Sequence, residues 1–453
     1  VDVDGRRVTA TPRPLARGCA AFAEAEAPAV LAQGVPPRKS CVEDASGRAS
    51  AEMVWELPQG ASVLEVTLAV PFSGGGVAAD GGGRAAARAR WNRALGKVVW
   101  RVPPCAAAAV ACFRTAAGQI LINRDGAALQ PGPRRYTRSW IRDGVIMGAA
   151  LAKAGYPRAL REFLSWYAPF QREDGFVPCV VDRDGIDGLV EHDSHGQFLW
   201  GVREVVGQGG GAAFARRMMP RVRKAAEYLV ALRASRTTEA YRVGRGAACF
   251  GLLPESASHE GYLAHPVHAY WDDFWGVRGL EAAAELAAAA GMRPEAARWR
   301  EEAARFQTDL IRSIERVVAD RGLAYVPGSV EWADFDPTAT ANAVSLLDFA
   351  DALPQAPLRA MLATYLEGFR RKRDGVVAWN NYTAYEVRLI GALVRLGERD
   401  AAHELLSFLL LDRRPRAWNQ WPEITWREPR CPGHLGDLPH TWIAAEYMLS
   451  LAS

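Results

Sequence analysis

GLLPESASHEGYLAHPVHAYWDDFWGVRGL (residues 251–280) runs from a loop dense in reactive side chains straight into a helix. Before Trp271 it carries Pro, Ser and Gly with no usable period, and after Asp273 it turns into an Ala-rich helix reaching about Ala290. Glu255, Glu260, Asp272, Asp273, His259, His265 and His268 share the stretch with a run of aromatic rings. A long loop inside a compact domain is either functional or disordered, and disorder fits badly with so aromatic a composition. A pocket wall at a helix mouth is therefore expected. Consecutive helical residues point about 100° apart. One of Asp272 and Asp273 can cap the free N–H groups while the other faces the cavity.

The same pattern repeats along the chain. Helical periodicity predicts twelve helices, at 106–122, 139–153, 157–170, 194–206, 213–233, 272–290, 294–317, 337–350, 356–371, 382–396, 399–411 and 438–451. From 139 onward they pair as hairpins, the first member apolar all round and the second apolar on one face. A helix apolar on every side is buried, so the first members form an inner ring and the second an outer one. The helix at 438–451 has no later partner, and 106–122 is free to close the ring beside it. Most of the chemistry lies in loops before inner helices: RRYTRSWIRDG (134–144), DGLVEHDSHGQ (187–197), YWDDFW (270–275), WADFDPT (332–338), AWNNYTAYE (378–386) and WPEITW (421–426). A ring brings all six to one mouth. Twelve of the fifteen tryptophans lie at or after Trp140, most beside these loops, and an aromatic cavity bearing carboxylates suits a sugar.

Residues 1–104 read differently. Short alternating runs such as VLEVTLAVPF (63–72) and KVVWRV (97–102) are strand patterns, and the Gly runs at 74–76 and 81–83 read as loops, with a disordered tip around Gly81. The expected organisation is a β-rich, sandwich-like region over 1–104 followed by a helical domain over 105–453, a mostly α protein overall.

Composition narrows the partners. A net charge of +4 on 453 residues comes from scattered Arg, so nucleic acid is not expected. No window of about 18 apolar residues is free of charge, so no membrane span is expected. Seven cysteines at irregular spacings, with no CxxC pair, argue against a disulfide framework and a structural zinc site. The opening VDVDGRRVTA has neither an initiator Met nor an apolar signal region, and cytoplasm is the default expectation.

The layout from 106 to 453 resembles the six-hairpin, (α/α)6-barrel glycosidases, the group holding glucoamylases, trehalases and related disaccharide phosphorylases. YTRSWIRDG is similar to the segment that opens the glucoamylase barrel, which implies Trp140, Arg142 and Asp143 at the sugar. YWDDFW stands where trehalases carry a catalytic acid after Trp, implying Asp272. The phosphorylases place theirs one residue later, implying Asp273. Glucoamylases put the acid in the loop before, which keeps Glu255 and Glu260 open. WPEITW implies Glu423 as general base, and its presence favours hydrolysis over phosphorolysis. The classical glucoamylase Glu-Glu pair and the Gly-rich trehalase signature are absent, so the substrate does not carry over.

Hydrolysis of a glycoside needs a proton for the leaving oxygen and activation of water on the opposite face, and two carboxyl groups supply both. The resemblance implies an inverting, exo-acting hydrolase of an α-glucoside or related oligosaccharide, without a cofactor. Trp271, Phe274 and Trp275 offer Asp272 the apolar surroundings that keep a carboxyl protonated. Further expected sugar contacts are Asp193, Gln197, Glu260, Tyr270, Trp271, Trp379, Asn380, Trp421 and His440. His192 and His195, with His259, His265 or His268, offer a metal cluster, but no second motif has zinc-ligand spacing and no metal is expected. Two rival functions stay open: a lyase or epimerase using His259, Tyr262, His268 and Tyr270, and a non-catalytic carbohydrate-binding protein.

Overall fold

The alternation of all-apolar and one-faced helices becomes two concentric rings in the computed structural model. It describes residues 2–3, 6–21, 35, 39–45, 49–69, 82–428, 431 and 433–453. In chain order the helices are α1 (Gly82–Leu95), α2 (Ala107–Asn123), α3 (Ile141–Lys153), α4 (Arg158–Tyr167), α5 (Asp193–Val205) and α6 (Gly211–Ala234). There follow α7 (Tyr270–Ala289), α8 (Arg293–Arg321), α9 (Pro337–Ser345), α10 (Gln355–Arg373), α11 (Arg388–Arg395), α12 (Arg399–Leu411) and α13 (Thr441–Leu451). Helices α3, α5, α7, α9, α11 and α13 touch one another in that order, and α13 returns to α3. Each is backed by an outer partner, α4, α6, α8, α10, α12 and α2 respectively. This is an (α/α)6 toroid.

Burial follows the sequence pattern. Helix α3 buries every residue from Ile141 to Leu151, whereas outer α8 buries Ala296, Trp299, Ala303, Phe306, Leu310, Ile314 and Val317, at helical spacing. Inner helices α5 and α7 meet backbone to backbone. A Cβ on Gly196 would stand 2.1 Å from the Trp275 carbonyl oxygen, and one on Gly279 would stand 2.5 Å from the Gly196 Cα. Helix α2 closes the circle, where the Tyr447 hydroxyl donates to the Ala109 carbonyl at 2.9 Å. The segment Pro104–Asn123, with mean hydropathy 1.6, is long and apolar enough by composition to cross a membrane. It escaped the sequence expectation because it contains Arg114; here Phe113, Ala116 and Ile120 on one face are buried.

The chain divides into a first unit, Val1–Gly96 with Trp426–Leu435, and the toroidal unit, Lys97–Thr425 with Gly436–Ser453. The first unit holds three antiparallel two-stranded ladders among the described residues: β1 (Asp2–Val3) with β2 (Arg6–Arg7), β3 (Thr9–Thr11) with β6 (Thr67–Ala69), and β4 (Ala16–Ala20) with β5 (Ser50–Val54). The rest of the 63–72 run beyond Ala69, the Gly run at 74–76 and Gly81 lie outside the described residues.

Four local expectations need correction. KVVWRV (97–102) is not a strand: Val99 and Val102 are exposed with no ladder partner, and Trp100 rests edge-on against Phe113 at 4.9 Å. Gly82 and Gly83 open helix α1 instead of closing a loop. The helix expected over 337–350 stops at Ser345, and Asp348 beyond it has a left-handed φ of 58°. The one expected from 382 begins as a 3-10 turn at Ala384 and becomes α-helical at Arg388.

Candidate active site

The floor is built from the first turns of inner helices. Strand β7 (Ser139–Trp140) pairs with β8 (Val180–Asp182) and leads directly into α3, so Arg142 and Asp143 fall in its first turn, both buried. The Arg142 Nη1 donates to Glu191 Oε2 at 2.9 Å, and its guanidinium lies 3.4 Å from Asp143 and 3.8 Å from Asp193. Asp193, opening α5, accepts the Trp271 indole N–H and the Gln197 amide, each at 2.7 Å. Asp143 Oδ2 accepts no hydrogen bond. One guanidinium thus stands among three carboxyls. Burial pushes Asp143 up to about 8 against the pull of Arg142, and burial also raises Glu191 and Asp193. The Trp442 ring lies 4.5 Å from the Arg142 guanidinium, and a second buried cation, Arg388, sits 4.3 Å from the Tyr385 ring and 5.3 Å from Trp271.

Above this floor the loop before α7 is held in an uncommon conformation. Ser258, His259 and Glu260 have φ of 33°, 34° and 61°, three successive left-handed residues of which none is glycine. What holds them is Asp272. Its two oxygens accept the hydroxyls of Ser256 at 2.5 Å and Ser258 at 2.6 Å, while the Glu260 N–H donates to Glu191 at 2.7 Å. Asp272 therefore lies under the loop, buried, its carboxyl raised first by burial and then by the charge of Asp193. The exposed side chain in this corner is Glu260, whose Oε1 accepts the Trp140 indole N–H at 2.6 Å.

Glu423, half-buried, approaches from the loop before α13. Its Oε2 accepts the Tyr136 hydroxyl at 2.6 Å, and its carbonyl accepts the Ala384 N–H at 2.9 Å. Tyr136 is itself fixed by Asp437, whose carboxylate accepts the N–H groups of Arg134, Arg135 and Tyr136 at 2.7, 3.0 and 2.9 Å. Burial, and then the Glu423 charge, push the phenol well up, so it stays a donor. Its ring meets Trp140 edge-on at 5.8 Å and His440 at 5.3 Å. Glu260 and Glu423 are thus tied to the two members of one aromatic pair, Trp140 and Tyr136.

Other expected residues divide clearly. Trp271, Gln197 and His440 join this cluster, and His440 also accepts the Ile443 N–H to cap α13. Asp273 accepts the Leu253 N–H at 2.8 Å and Tyr270 exchanges a hydrogen bond with Ser313 on outer helix α8, so both face away from it. Trp379 stacks on Phe408 of outer helix α12 at 5.3 Å, its neighbour Asn380 is exposed, and Trp421 packs on Tyr447 at 5.4 Å. Glu255 pairs with Arg236. The proton-shuttle set does not assemble either, because the Tyr262 hydroxyl donates to Asp334 at 2.9 Å and His268 Nδ1 lies 2.6 Å from Glu331. His195 accepts the Val177 N–H and packs against Tyr228 at 4.7 Å, as a core histidine. Cys249, His268 and Glu331 bring ligand-type atoms within 4.8 Å of one another, but Arg236 donates to His268 Nε2 at 3.3 Å, and a cation there would meet that guanidinium. Sequence reasoning missed Arg388, Trp442 and Glu446, whose carboxylate accepts from Arg388 and from the Trp442 indole, each at 3.0 Å. An Arg at the start of the otherwise apolar run RLIGAL (388–393) was the available signal.

No protein-family model matches the chain, and no curated protein matches it in sequence. Solved structures do share its fold. A wild-type glycosidase aligns with a TM-score of 0.55 at 15% identity, covering 78% of this chain and 98% of that one. A bacterial glucoamylase complexed with acarbose aligns with a TM-score of 0.52 at 12% identity, covering 76% of this chain and 55% of its own. An uncharacterized conserved protein from Thermus thermophilus gives a TM-score of 0.51 at 14% identity, covering 74% of this chain and 99% of that one. At these identities the likeness establishes the six-hairpin fold.

Proposed function

We propose that this protein hydrolyses a glycosidic bond with inversion, acting at the end of an α-glucoside or related oligosaccharide. Glu260 protonates the leaving oxygen as the bond to the anomeric carbon breaks. Glu423 takes a proton from water as the water oxygen bonds to that carbon from the other face. The observation that carries this reading is the pair of hydrogen bonds, Trp140 to Glu260 and Tyr136 to Glu423, each 2.6 Å, on two side chains that are not buried. Asp272, first expected as the acid, is assigned a supporting role because both its oxygens are engaged by serines beneath the loop. Asp143, Arg142 and the Trp442 and Trp271 rings serve the sugar bound on the floor; the Asp143 Oδ2, 3.4 Å from the Arg142 Nε, accepts no hydrogen bond within the protein and is assigned to a sugar hydroxyl. The glucoamylase of the same fold holds acarbose, which agrees with a sugar ligand.

The test is proton NMR of the products from a panel of α- and β-glucosides. Free sugar appearing first as the anomer opposite to the bond cleaved is expected. The same anomer would overturn inversion, and an unsaturated product would overturn hydrolysis.

A further inference from the structure

Aromatic rings continue from the floor of the site to its rim. Trp271, buried, lies 5.0 Å from His259; His259 lies 6.0 Å from Tyr262; Tyr262 meets Trp332 edge-on at 5.2 Å; and Trp332 is 50% exposed. Glu260 sits in the middle of this wall, between His259 and Tyr262 in the chain. The ring at the outer end is held with care. Ala333, next to it, has a left-handed φ of 51°, and Asp334 fixes the turn by accepting the Tyr262 hydroxyl at 2.9 Å and the Ser329 hydroxyl at 2.6 Å. A non-glycine residue in that region is strained and persists only where the surroundings impose it. The turn is thus rigid, yet it shows a large apolar ring to solvent.

We propose that Trp332, with the exposed Leu263 beside Tyr262, is the binding surface for the leaving group, and that this group carries a flat apolar ring in place of a second sugar. The inference rests on Glu260 as the proton donor, since the leaving oxygen then sits at Glu260 and whatever it carries extends outward along the wall. Chemistry at the rim selects the class. The carboxylates beside Trp332 are already engaged: Asp334 by Tyr262 and Ser329, Asp336 by the Thr338 and Ala339 N–H groups of α9, and Glu331 by His268. These bonds hold Asp334, the Asp336 Oδ1 and Glu331 to partners within the protein, and the hydroxyls of a second sugar would have to compete with those partners. An aryl or arylalkyl group needs only the apolar face.

The experiment compares kcat/KM for methyl α-glucoside, benzyl α-glucoside and an α-linked glucose disaccharide, in the full chain and in its Trp332→Ala and Trp332→Phe variants. Methanol and benzyl alcohol are leaving groups of similar basicity, so the benzyl-to-methyl ratio reports the binding surface. Trp332→Ala should lower that ratio about tenfold, leave the disaccharide-to-methyl ratio where it was, and regain most of the loss in Trp332→Phe. An unmoved benzyl ratio would overturn the proposal, and so would a disaccharide ratio that falls as far. If the unaltered protein cleaves none of the three, the hydrolase reading fails first, and visibly so.

Discussion

At the scale of single residues, Glu260 and Glu423 differ from Asp272 in that neither is buried. Glu423 was singled out from WPEITW through the family resemblance, and the fold sets it against Tyr136, whose ring adjoins Trp140. Asp272 was legible as important but not in its role. YWDDFW marks it out, yet what the side chain meets is decided by Ser256 and Ser258, which the helix phase brings over it and whose significance the letters do not carry. Arg388 and Trp442 were missed because each falls inside a predicted helix, at 382–396 and 438–451, and not in the loops where the chemistry was sought; in the structure both stand in a first helical turn. The Tyr136 hydroxyl gives a residue-level prediction: it donates to Glu423 at 2.6 Å and so favours the ionised base. Tyr136→Phe should lower kcat about tenfold and move the acid limb of the pH–rate profile to higher pH, and an unmoved limb would count against Glu423 as base.

Among elements, the twelve helices of the toroid were readable because amphipathic and all-apolar periods persist over many residues. The errors fall where a period is too short or absent. KVVWRV alternates over six residues but finds no partner strand, and Gly82–Leu95 carries Ala and Arg without an apolar stripe, so only helix propensity supports it. Glycines in helices were readable as positions but not as contacts. Gly196 is the clearest, for its missing Cβ is what admits the α7 backbone. Gly196→Ala must push α5 and α7 apart, at a cost of at least about 1–3 kcal/mol. The melting temperature should fall by several degrees and expression should suffer, whereas a melting temperature equal to that of the unaltered protein would contradict the described helix contact.

For the whole molecule, ring closure was foreseen from the unpartnered last helix and the spare one at 106–122. The electrostatics of the floor were not, because burial is a property of the assembled ring. Asp143 holds its proton up to about 8 in the folded protein against 3.8 for the ordinary carboxyl. Between those values the native state binds more protons than the unfolded one, so its contribution is complete at low pH and is lost as pH rises. His192 and His259, lowered by burial to about 4 and about 3, act in the opposite sense and remove stability as pH falls below the ordinary histidine range. The melting temperature should therefore decline from about pH 6.5 to about pH 8.5, and Asp143→Asn should flatten the decline; an equal slope in the variant would contradict the buried, protonated Asp143. All three scales meet at Glu260 and Glu423, which the ring ties to the adjoining Trp140 and Tyr136 and which are proposed as acid and base. The most direct test is the dependence of rate on the leaving group in Glu260→Gln. The variant should lose about a thousandfold in kcat/KM on an alkyl glycoside, yet stay within about tenfold of the unaltered protein on a dinitrophenyl glycoside, whose leaving group needs no proton. Equal losses on both substrates, or no loss on either, would contradict it.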